Sequence, residues 1–549
     1  MDRETAPDVR ASPGTNALVV ASVVLPWLNP FAGGPSAVVV PWLVAAACTL
    51  VLWVAVGPAV SRTKVCAVAA LAAVLIGLGH AASTVLLAVG GLIVIAIGAA
   101  VGAALGRCGA AALLANAWLL AALVSSLLAL AQYFGLAWDL APWVNPTSPG
   151  EAFANLRQRN QFATLTAIGL VALLWRVQQG VRLTWSLPAA MLLGAANAAS
   201  ASRTGAFQIV LVIGLTAWWL RPMDRGVAAV CAGAALSYGL AALLFPPLVH
   251  LLWEVDAANA FGRLTSAEGC GSRTVLWGNT LHLIGQKPWA GWGWGELDFA
   301  HFATLYPGAR FCDILDNAHN LPLHLAVELG MPIASIACAG FIGWLAWRRP
   351  WRETDSTRRM AWGVMAVILL HSLLEYPLWY GPFQMALGFS IGLLTQAPRR
   401  TGIEVAARAG RLAVSALFAS ALVYTAWDYL RISQLYVAAE ERSALFRHRA
   451  SPAAGDSWLF RDQLDFALLS ITPLTRANAA TMNTLATQLL HYSPEPRVID
   501  VAIESAMLLG REDQALWLLE RYRTAFPREA ALAAVAPPSR TAAPSGADR

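Results

Sequence analysis

The sequence predicts an all-α fold: a polytopic membrane protein of about thirteen spanning helices, a long outward loop and a small helical C-terminal domain. Three observations predict it. First, of 549 residues 57% are hydrophobic and only 13% charged, where an ordinary soluble domain carries about 25% charged residues. Mean hydropathy is +0.56. Second, apolar runs of about 20 residues, long enough to cross a bilayer, recur along the chain. Third, the charges are unevenly placed: about 26 fall within the last 119 residues, close to a soluble domain's share, and the rest are spread thinly over the first 430. These features exclude a soluble globule and a disordered chain. Nucleic-acid binding is not indicated. The net charge of +6 comes almost wholly from arginine, with Lys64 and Lys287 the only lysines, and basic loops on the inner side of a membrane account for it.

In chain order, the runs lie at 17–34, 37–57, 64–80, 83–104, 109–133, 159–176, 184–201, 204–220, 226–246, 321–347, 360–378, 381–396 and 412–430. The first is not a cleaved signal peptide: it holds Pro26, Asn29 and Pro30, lacks a small-residue cleavage site, and is followed by further spans. Alternate connections are basic: Arg62/Lys64, Arg107, Arg176/Arg182, Arg221/Arg225, Arg348/Arg349/Arg352/Arg358/Arg359 and Arg399/Arg400/Arg408/Arg411. Placed on the cytoplasmic side, they require a cytoplasmic N-terminus and an odd number of spans. The protein is therefore expected in a bacterial inner membrane, multi-pass, with its C-terminus in the periplasm. The expected domains are 1–430, spanning the membrane and including a periplasmic loop at 247–320, then a helical domain at 431–535 and a disordered tail at 536–549.

The C-terminal domain shows helical apolar spacing near 431–449, 458–470, 474–491, 496–509 and 511–525. Residues 496–525 form two amphipathic segments around Gly510, which suits either one tetratricopeptide-type unit or a generic helical bundle. Five cysteines (Cys48, Cys66, Cys108, Cys231 and Cys338) lie in apolar spans as small packing residues. Cys270 and Cys312 both fall in the long outward loop, where an oxidising compartment permits either a disulfide or two thiols. There is no CxxC, which argues against zinc or redox chemistry.

Arginines on the outward side run against the topology bias: Arg157, Arg159, Arg203, Arg263, Arg273 and Arg310. A charge so placed at a membrane surface needs a partner, either a lipid phosphate or carboxylate, or an anionic substrate. Five segments gather such groups. Asn155-Leu156-Arg157-Gln158-Arg159-Asn160-Gln161 crowds amide and guanidinium donors at the start of a helix, suited to an anion or sugar or simply to capping and interfacial snorkelling. Ser202-Arg203-Thr204 marks a tight turn, where the arginine clamps a phosphate or caps a helix end. Arg273 to Gly295 carries arginine, glycines and tryptophans. The glycines have no βαβ context for a nucleotide loop, and the tryptophans read as an interfacial belt or as stacking groups for sugar. His319, in Asp316-Asn317-Ala318-His319-Asn320, is the best outward group for proton transfer near neutral pH, against a structural role. His319 and His324 are five apart and share no helix face, so a zinc site is not expected; His324 and Glu328, four apart, share one. Finally, His371 and Glu375 are four apart in His371-Ser372-Leu373-Leu374-Glu375-Tyr376-Pro377-Leu378-Trp379-Tyr380. A carboxylate there is either functional or paired with an arginine.

Together these segments resemble the PglL-type protein O-oligosaccharyltransferases of bacteria, within the wider group of O-antigen ligases and polymerases. The resemblance runs from about Gln132 to Tyr380 and more loosely to about 525. It rests on the family's N-L-R-Q-x-N-Q segment at Asn155–Gln161, with Arg159 at the variable place. It also rests on an R-x-x-x-W…P-x-x-G-x-G pattern from Arg273 to Gly295, A-H-N at Ala318–Asn320 and E-Y-P-L-W-Y at Glu375–Tyr380. The resemblance implies en bloc transfer of an oligosaccharide from undecaprenyl diphosphate to Ser or Thr hydroxyls of periplasmic proteins such as pilins. On that reading Arg157, Arg203 and Arg273 hold the donor diphosphate. His319 and Glu375 are the catalytic pair, either one serving as base, and Gln158, Asn160, Gln161, Tyr376 and Tyr380 position glycan and donor. No Asp-x-Asp pair occurs in the outward loops, so neither metal nor cofactor is expected. The partners are the lipid-linked glycan, the acceptor protein and the bilayer. An O-antigen ligase acting on lipid A-core and an O-antigen polymerase are the near alternatives. A transporter is the distant one, because its charges belong at the bilayer midplane within inverted repeats.

Overall fold

The computed structural model describes residues 13–56, 71–73, 75–77, 79, 82–258, 269–395, 404–446 and 457–535. Among these the fold is all-helical; the only β-type pairing is an isolated bridge between Gly79 and Trp294. Helices occupy twelve of the thirteen apolar runs read from the sequence; the other, at 64–80, lies mostly outside the described residues. Among the described residues, seven are long and apolar enough to cross a membrane: Val39–Val56, Ala82–Arg107, Ala111–Tyr133, Arg159–Gln178, Arg225–Trp253, Met331–Arg352 and Gly410–Tyr436. Pro13–Leu28 and Gly381–Leu394 are shorter apolar helices. The protein is accordingly a helical membrane protein.

The chain divides into two compact units, one of 1–74, 87–267 and 341–427, the other of 75–86, 268–340 and 428–549. The first unit is a helical bundle. Its Arg159–Gln178 helix is apolar on all sides, from Phe162 to Trp175, and buried throughout that stretch. This is the pattern of a central helix rather than an amphipathic one. Small residues set the closest approaches. Gly98 and Gly102 face Gly388 and Gly392, so that an added Cβ on Gly102 meets the Phe389 backbone and one on Gly392 meets the Ala99 and Ala103 backbone. Two small-xxx-small stripes thus let the Ala82–Arg107 and Gly381–Leu394 helices pack backbone to backbone, the usual means of helix association in lipid.

The second unit joins the long loop to the C-terminal helices. The sequence boundary at 430 separates 247–320 from 431–535, whereas residues 268–340 and 428–535 share this unit. The reason is apolar. Phe302, from the short Leu297–Ala303 helix, is buried among Leu469, Met482, Leu489, Ile499, Leu518 and Tyr522. Arg521 Nε donates to the Ala303 carbonyl at 2.9 Å. The C-terminal helices Arg461–Ile471, Ala479–Leu489, Pro496–Leu508, Glu512–Ala525 and Pro527–Val535 each pack on the next.

Two local readings change. The helix expected at 431–449 does not form as such. The Glu404–Ser433 helix ends at Ser433 and two 3-10 turns follow, because Gln434 gathers the chain: its side-chain oxygen accepts from Ser443 N at 2.8 Å and its carbonyl from Arg442 Nε at 3.1 Å. The run 321–347 is two helices, Leu321–Leu329 and Met331–Arg348. Gly330 breaks it at φ +85, with the Trp289 carbonyl where a Cβ would stand, and Gly291 at φ +70 meets the Glu328 carbonyl in the same way. Trp292 N, Gly293 N and Met331 N close this junction on the carbonyls of Val327, Glu328 and Pro288. Only glycine permits both the left-handed backbone and the contact. The tail expected at 536–549 lies outside the described residues.

Candidate functional site

In the first unit the Asn155–Gln161 segment leads into the Arg159–Gln178 helix, and its side chains divide into two jobs. Some build the turn. Asn155 is buried, donating to the carbonyls of Leu28 and Trp143 and accepting from Asn145 N, at 2.9, 2.9 and 3.1 Å. Gln132, fully buried, uses both amide atoms twice, donating to Asn145 O and Ala154 O and accepting from Phe153 N and Ala154 N. Gln158 caps the helix by accepting from Gln161 N at 2.6 Å, as an N-cap residue does. Arg159 pairs with Glu151 at 3.7 Å. Arg157 takes a left-handed backbone, φ 58, and its Nη2 donates to the Pro30 carbonyl and to Asn145 Oδ1.

The other job is to build a polar cluster. Asn160 Nδ2 donates to Glu375 Oε1 at 3.1 Å, and Asn160 Oδ1 accepts from Ser202 Oγ at 2.6 Å. Three of the five sequence segments singled out above therefore meet at one side chain. Glu375 is buried, 9% exposed. One turn deeper, Thr164 Oγ1 lies 2.9 Å from His371 Nδ1 and 2.9 Å from Gln208 Nε2, and Gln208 also donates to the Val367 carbonyl at 3.0 Å. Asn160 and Thr164 are four apart on one helix; His371 lies in the last turn of the Ser356–Ser372 helix and Glu375 just beyond its end, where Glu375 N donates to the His371 carbonyl at 2.8 Å. Asn160 meets Glu375 and Thr164 meets His371, so the contacts form two rungs between segments running in opposite directions. Hydrophobic periodicity gave no sign of Thr164 or Gln208; isolated polar residues in apolar runs are the signal that was available.

Ser202 also caps the next helix, accepting from Gly205 N at 2.9 Å, so that Arg203 opens the Arg203–Trp219 helix beside the cluster residue Ser202. Ala154, Arg157 and Ala201 all have positive φ. Strained backbone of this kind persists where its surroundings over-determine it and collects at functional sites. Tyr376 and Tyr380 stack with centroids 6.1 Å apart across the Pro377–Trp379 turn. Gln161 is buried.

The second unit carries the remaining candidates. Ser272 caps the Arg273–Gln286 helix, accepting from Val275 N at 3.3 Å, so Arg273 is its first residue. A disulfide joins Cys270 and Cys312, whose Cα atoms are 5.3 Å apart. Asn279 holds the same strap, donating to Ala309 O at 2.9 Å and accepting from Phe311 N at 2.8 Å. Trp277 Nε1 donates to Ala318 O at 3.1 Å. His319 follows, half-buried with φ 49, and Asn320 caps the Leu321–Leu329 helix, accepting from Leu323 N at 3.1 Å.

His324 and Glu328 pair at 3.3 Å, both buried. Burial pushes the Glu328 carboxyl well up, and burial, helped by the neighbouring His319, pushes the His324 imidazole down. Glu328 also accepts from Gly295 N at 3.1 Å. His301 is a packing histidine, bonded to Tyr306 and to Phe311 O, its pKa pushed down to about 3 by burial and by Arg310. Arg310 donates to the carbonyls of His301 and Thr304, and Arg263 lies outside the described residues. Lys287 stands over the Trp292 ring at 4.0 Å and Trp292 Nε1 bonds Leu283 O, which ties this tryptophan into the loop.

A helical membrane protein with these polar segments is similar to several families of glycan-handling membrane enzymes. Residues 188–338 match the O-antigen ligase family, 152–177 the protein glycosylation ligase family, and 359–540 the C-terminal region of the virulence factor membrane-bound polymerase family. Among curated relatives, a general O-oligosaccharyltransferase of Acinetobacter baylyi is 26% identical over 58% of this chain and 56% of its own. A ComP-specific O-oligosaccharyltransferase of the same organism is 25% identical over 45% of this chain and 44% of its own. The chain spans about half the length of the curated relatives it matches. These matches bear out the resemblance to PglL-type O-oligosaccharyltransferases read from the sequence.

Proposed function

We propose that the protein is an O-linked oligosaccharyltransferase that moves a preassembled glycan from undecaprenyl diphosphate to Ser or Thr hydroxyls of periplasmic proteins such as pilins. The observation that carries this reading is the Asn160–Glu375 hydrogen bond, 3.1 Å long across 215 residues of sequence. It brings together the two segments whose sequence resemblance is to the protein-glycosylating branch.

In the reaction, the acceptor hydroxyl oxygen attacks the anomeric carbon of the first sugar. The bond from that carbon to the diphosphate oxygen breaks, and the diphosphate leaves with the electron pair. His319, half-buried, takes the hydroxyl proton, the role that imidazole most often fills in general-base catalysis. Negative charge grows on the leaving diphosphate, where fixed cations are worth most. Arg203 and Arg273 are assigned there, each opening a helix whose N-terminal N–H groups favour anions, with Arg157 assisting. Glu375, held by Asn160, is the alternative base. Gln158, Asn160, Gln161, Tyr376 and Tyr380 are assigned to holding sugar and donor, the two stacked tyrosines offering ring faces to a pyranose. The reaction is metal-independent on this account and takes place at the periplasmic face of the inner membrane, with about thirteen spans, a cytoplasmic N-terminus and a periplasmic C-terminus.

The test uses purified protein, a lipid-diphosphate-linked glycan and an acceptor protein, with and without chelator. Transfer that survives chelator and is lost in His319→Ala is expected. Wild-type rates in His319→Ala would remove the assigned base, and abolition by chelator would end metal independence.

A further inference from the structure

We infer that Trp277 and Asn317 are positioning residues for His319, fixing the left-handed turn that aims its imidazole. The inference rests on the reading of His319 as proton acceptor.

His319 has φ 49, a conformation that a non-glycine residue adopts only under constraint. The peptide before it is fixed from both sides. Its carbonyl, on Ala318, accepts the Trp277 indole N–H at 3.1 Å. Its N–H, on His319, is taken by Asn317 Oδ1 at 2.9 Å. These two bonds set the plane of the 318–319 peptide and hence the direction in which the His319 Cα–Cβ bond leaves the backbone. Neither neighbour has room to shift: Ala318 is fully buried and Asn317 is 4% exposed.

Trp277 is itself anchored. Its helix is bound to Ala309 and Phe311 by Asn279, the segment just before the helix is tied to Cys312 by the Cys270 disulfide, and its ring packs on the cluster of Leu276, Leu283, Leu297, Leu315 and Val327. Indole nitrogen is a donor only, so a carbonyl is its natural mate. The rival reading is that Trp277 merely fills this cluster. Phenylalanine would then serve nearly as well, because it keeps the aromatic packing and lacks only the N–H.

Trp277→Phe, Asn317→Ala and Asn317→Asp separate the two readings. Each purified variant is labelled with diethyl pyrocarbonate, and modification of His319 is followed by mass spectrometry, with His250 and His282 as references. Labelling needs no turnover, so it reports on geometry whether or not the enzymatic reading holds. Transfer kinetics and thermal unfolding are measured on the same samples. For Trp277→Phe and Asn317→Ala, His319 labelling is expected to change at least twofold with the references constant. Their kcat should fall two- to tenfold at unchanged KM, the loss of one neutral hydrogen bond. Asn317→Asp keeps the acceptor oxygen and should stay near wild type.

Unchanged His319 labelling in both Trp277→Phe and Asn317→Ala would overturn the inference, as would equal changes at all three histidines with a lowered Tm. A selective labelling change with wild-type kcat would instead leave the turn as described and remove His319 as the base.

Discussion

Asn160 is the most informative single position. Its amide donates to Glu375 at 3.1 Å and accepts from Ser202 at 2.6 Å. Asn160→Leu removes both bonds at similar volume. A hydrogen bond to a charged group is worth about 1.5–3 kcal/mol, so if the link holds Glu375 in its working place, transfer should slow roughly 10- to 150-fold, at about 1.4 kcal/mol per tenfold. Asn160→Asp goes further, since it replaces the donor with a second carboxylate. At an effective dielectric constant of about 20, two unit charges 3.1 Å apart repel by about 5 kcal/mol, an upper figure because the new side chain can rotate away. Asn160→Asp should therefore be slower than Asn160→Leu despite its closer shape. Initial rates of glycan transfer to an acceptor peptide, with Tm measured in the same detergent, give the comparison. If Asn160→Asp matched wild type, the Asn160–Glu375 contact would have no part in the reaction, and the observation that carries the functional proposal would fall.

Four further outcomes are expected. Cys270→Ser should lower stability by about 4 kcal/mol on the chain-entropy estimate for a 42-residue closure; reducing and non-reducing electrophoresis with thermal melts checks it. Gly330→Ala should cost expression and Tm more than Gly285→Ala, because a Cβ at 330 meets the Trp289 carbonyl in a left-handed backbone, whereas nothing surrounds position 285. Thr164→Val removes the hydroxyl shared by His371 and Gln208, and should lower Tm measurably while Thr484→Val, exposed, does not. The fourth concerns pH. Glu328, raised by burial, contributes stability that is complete below the ordinary carboxylate range and is lost as pH rises through its higher folded value. His324, lowered by burial, contributes stability complete above the ordinary imidazole pKa and lost as pH falls. Glu328→Gln should therefore lose less Tm than wild type between pH 6.5 and 9.

Much of this was legible in the sequence, for definite reasons. Hydropathy marks spans because a bilayer demands length and apolarity from each one, and Asn160, Glu375 and His319 stand out because polar groups are costly at a membrane boundary. What could not be read are facts about partners. Asn155 looked like part of an anion site and is a buried clamp on the Leu28 and Trp143 carbonyls. The sequence set His371 four residues before Glu375 but did not show that its ring also meets Thr164 on the facing helix. Trp277 looked like a belt residue, and its N–H holds the carbonyl before His319. The break at Gly330 depends on Trp289, 41 residues earlier, and no window along the chain contains both. Periodicity reports which side of a helix is apolar; it does not report which polar atoms meet.

The central claim is that this chain glycosylates protein hydroxyls and uses His319 to do it. Mass spectrometry of products from cells supplied with a defined lipid-linked glycan tests it most directly. The account predicts the intact glycan mass on Ser- or Thr-bearing peptides of a periplasmic protein, absent when His319→Ala replaces wild type at equal abundance. Glycan on lipid A-core, a lengthened lipid-linked polymer with unmodified protein, or undiminished protein glycosylation by His319→Ala would contradict it.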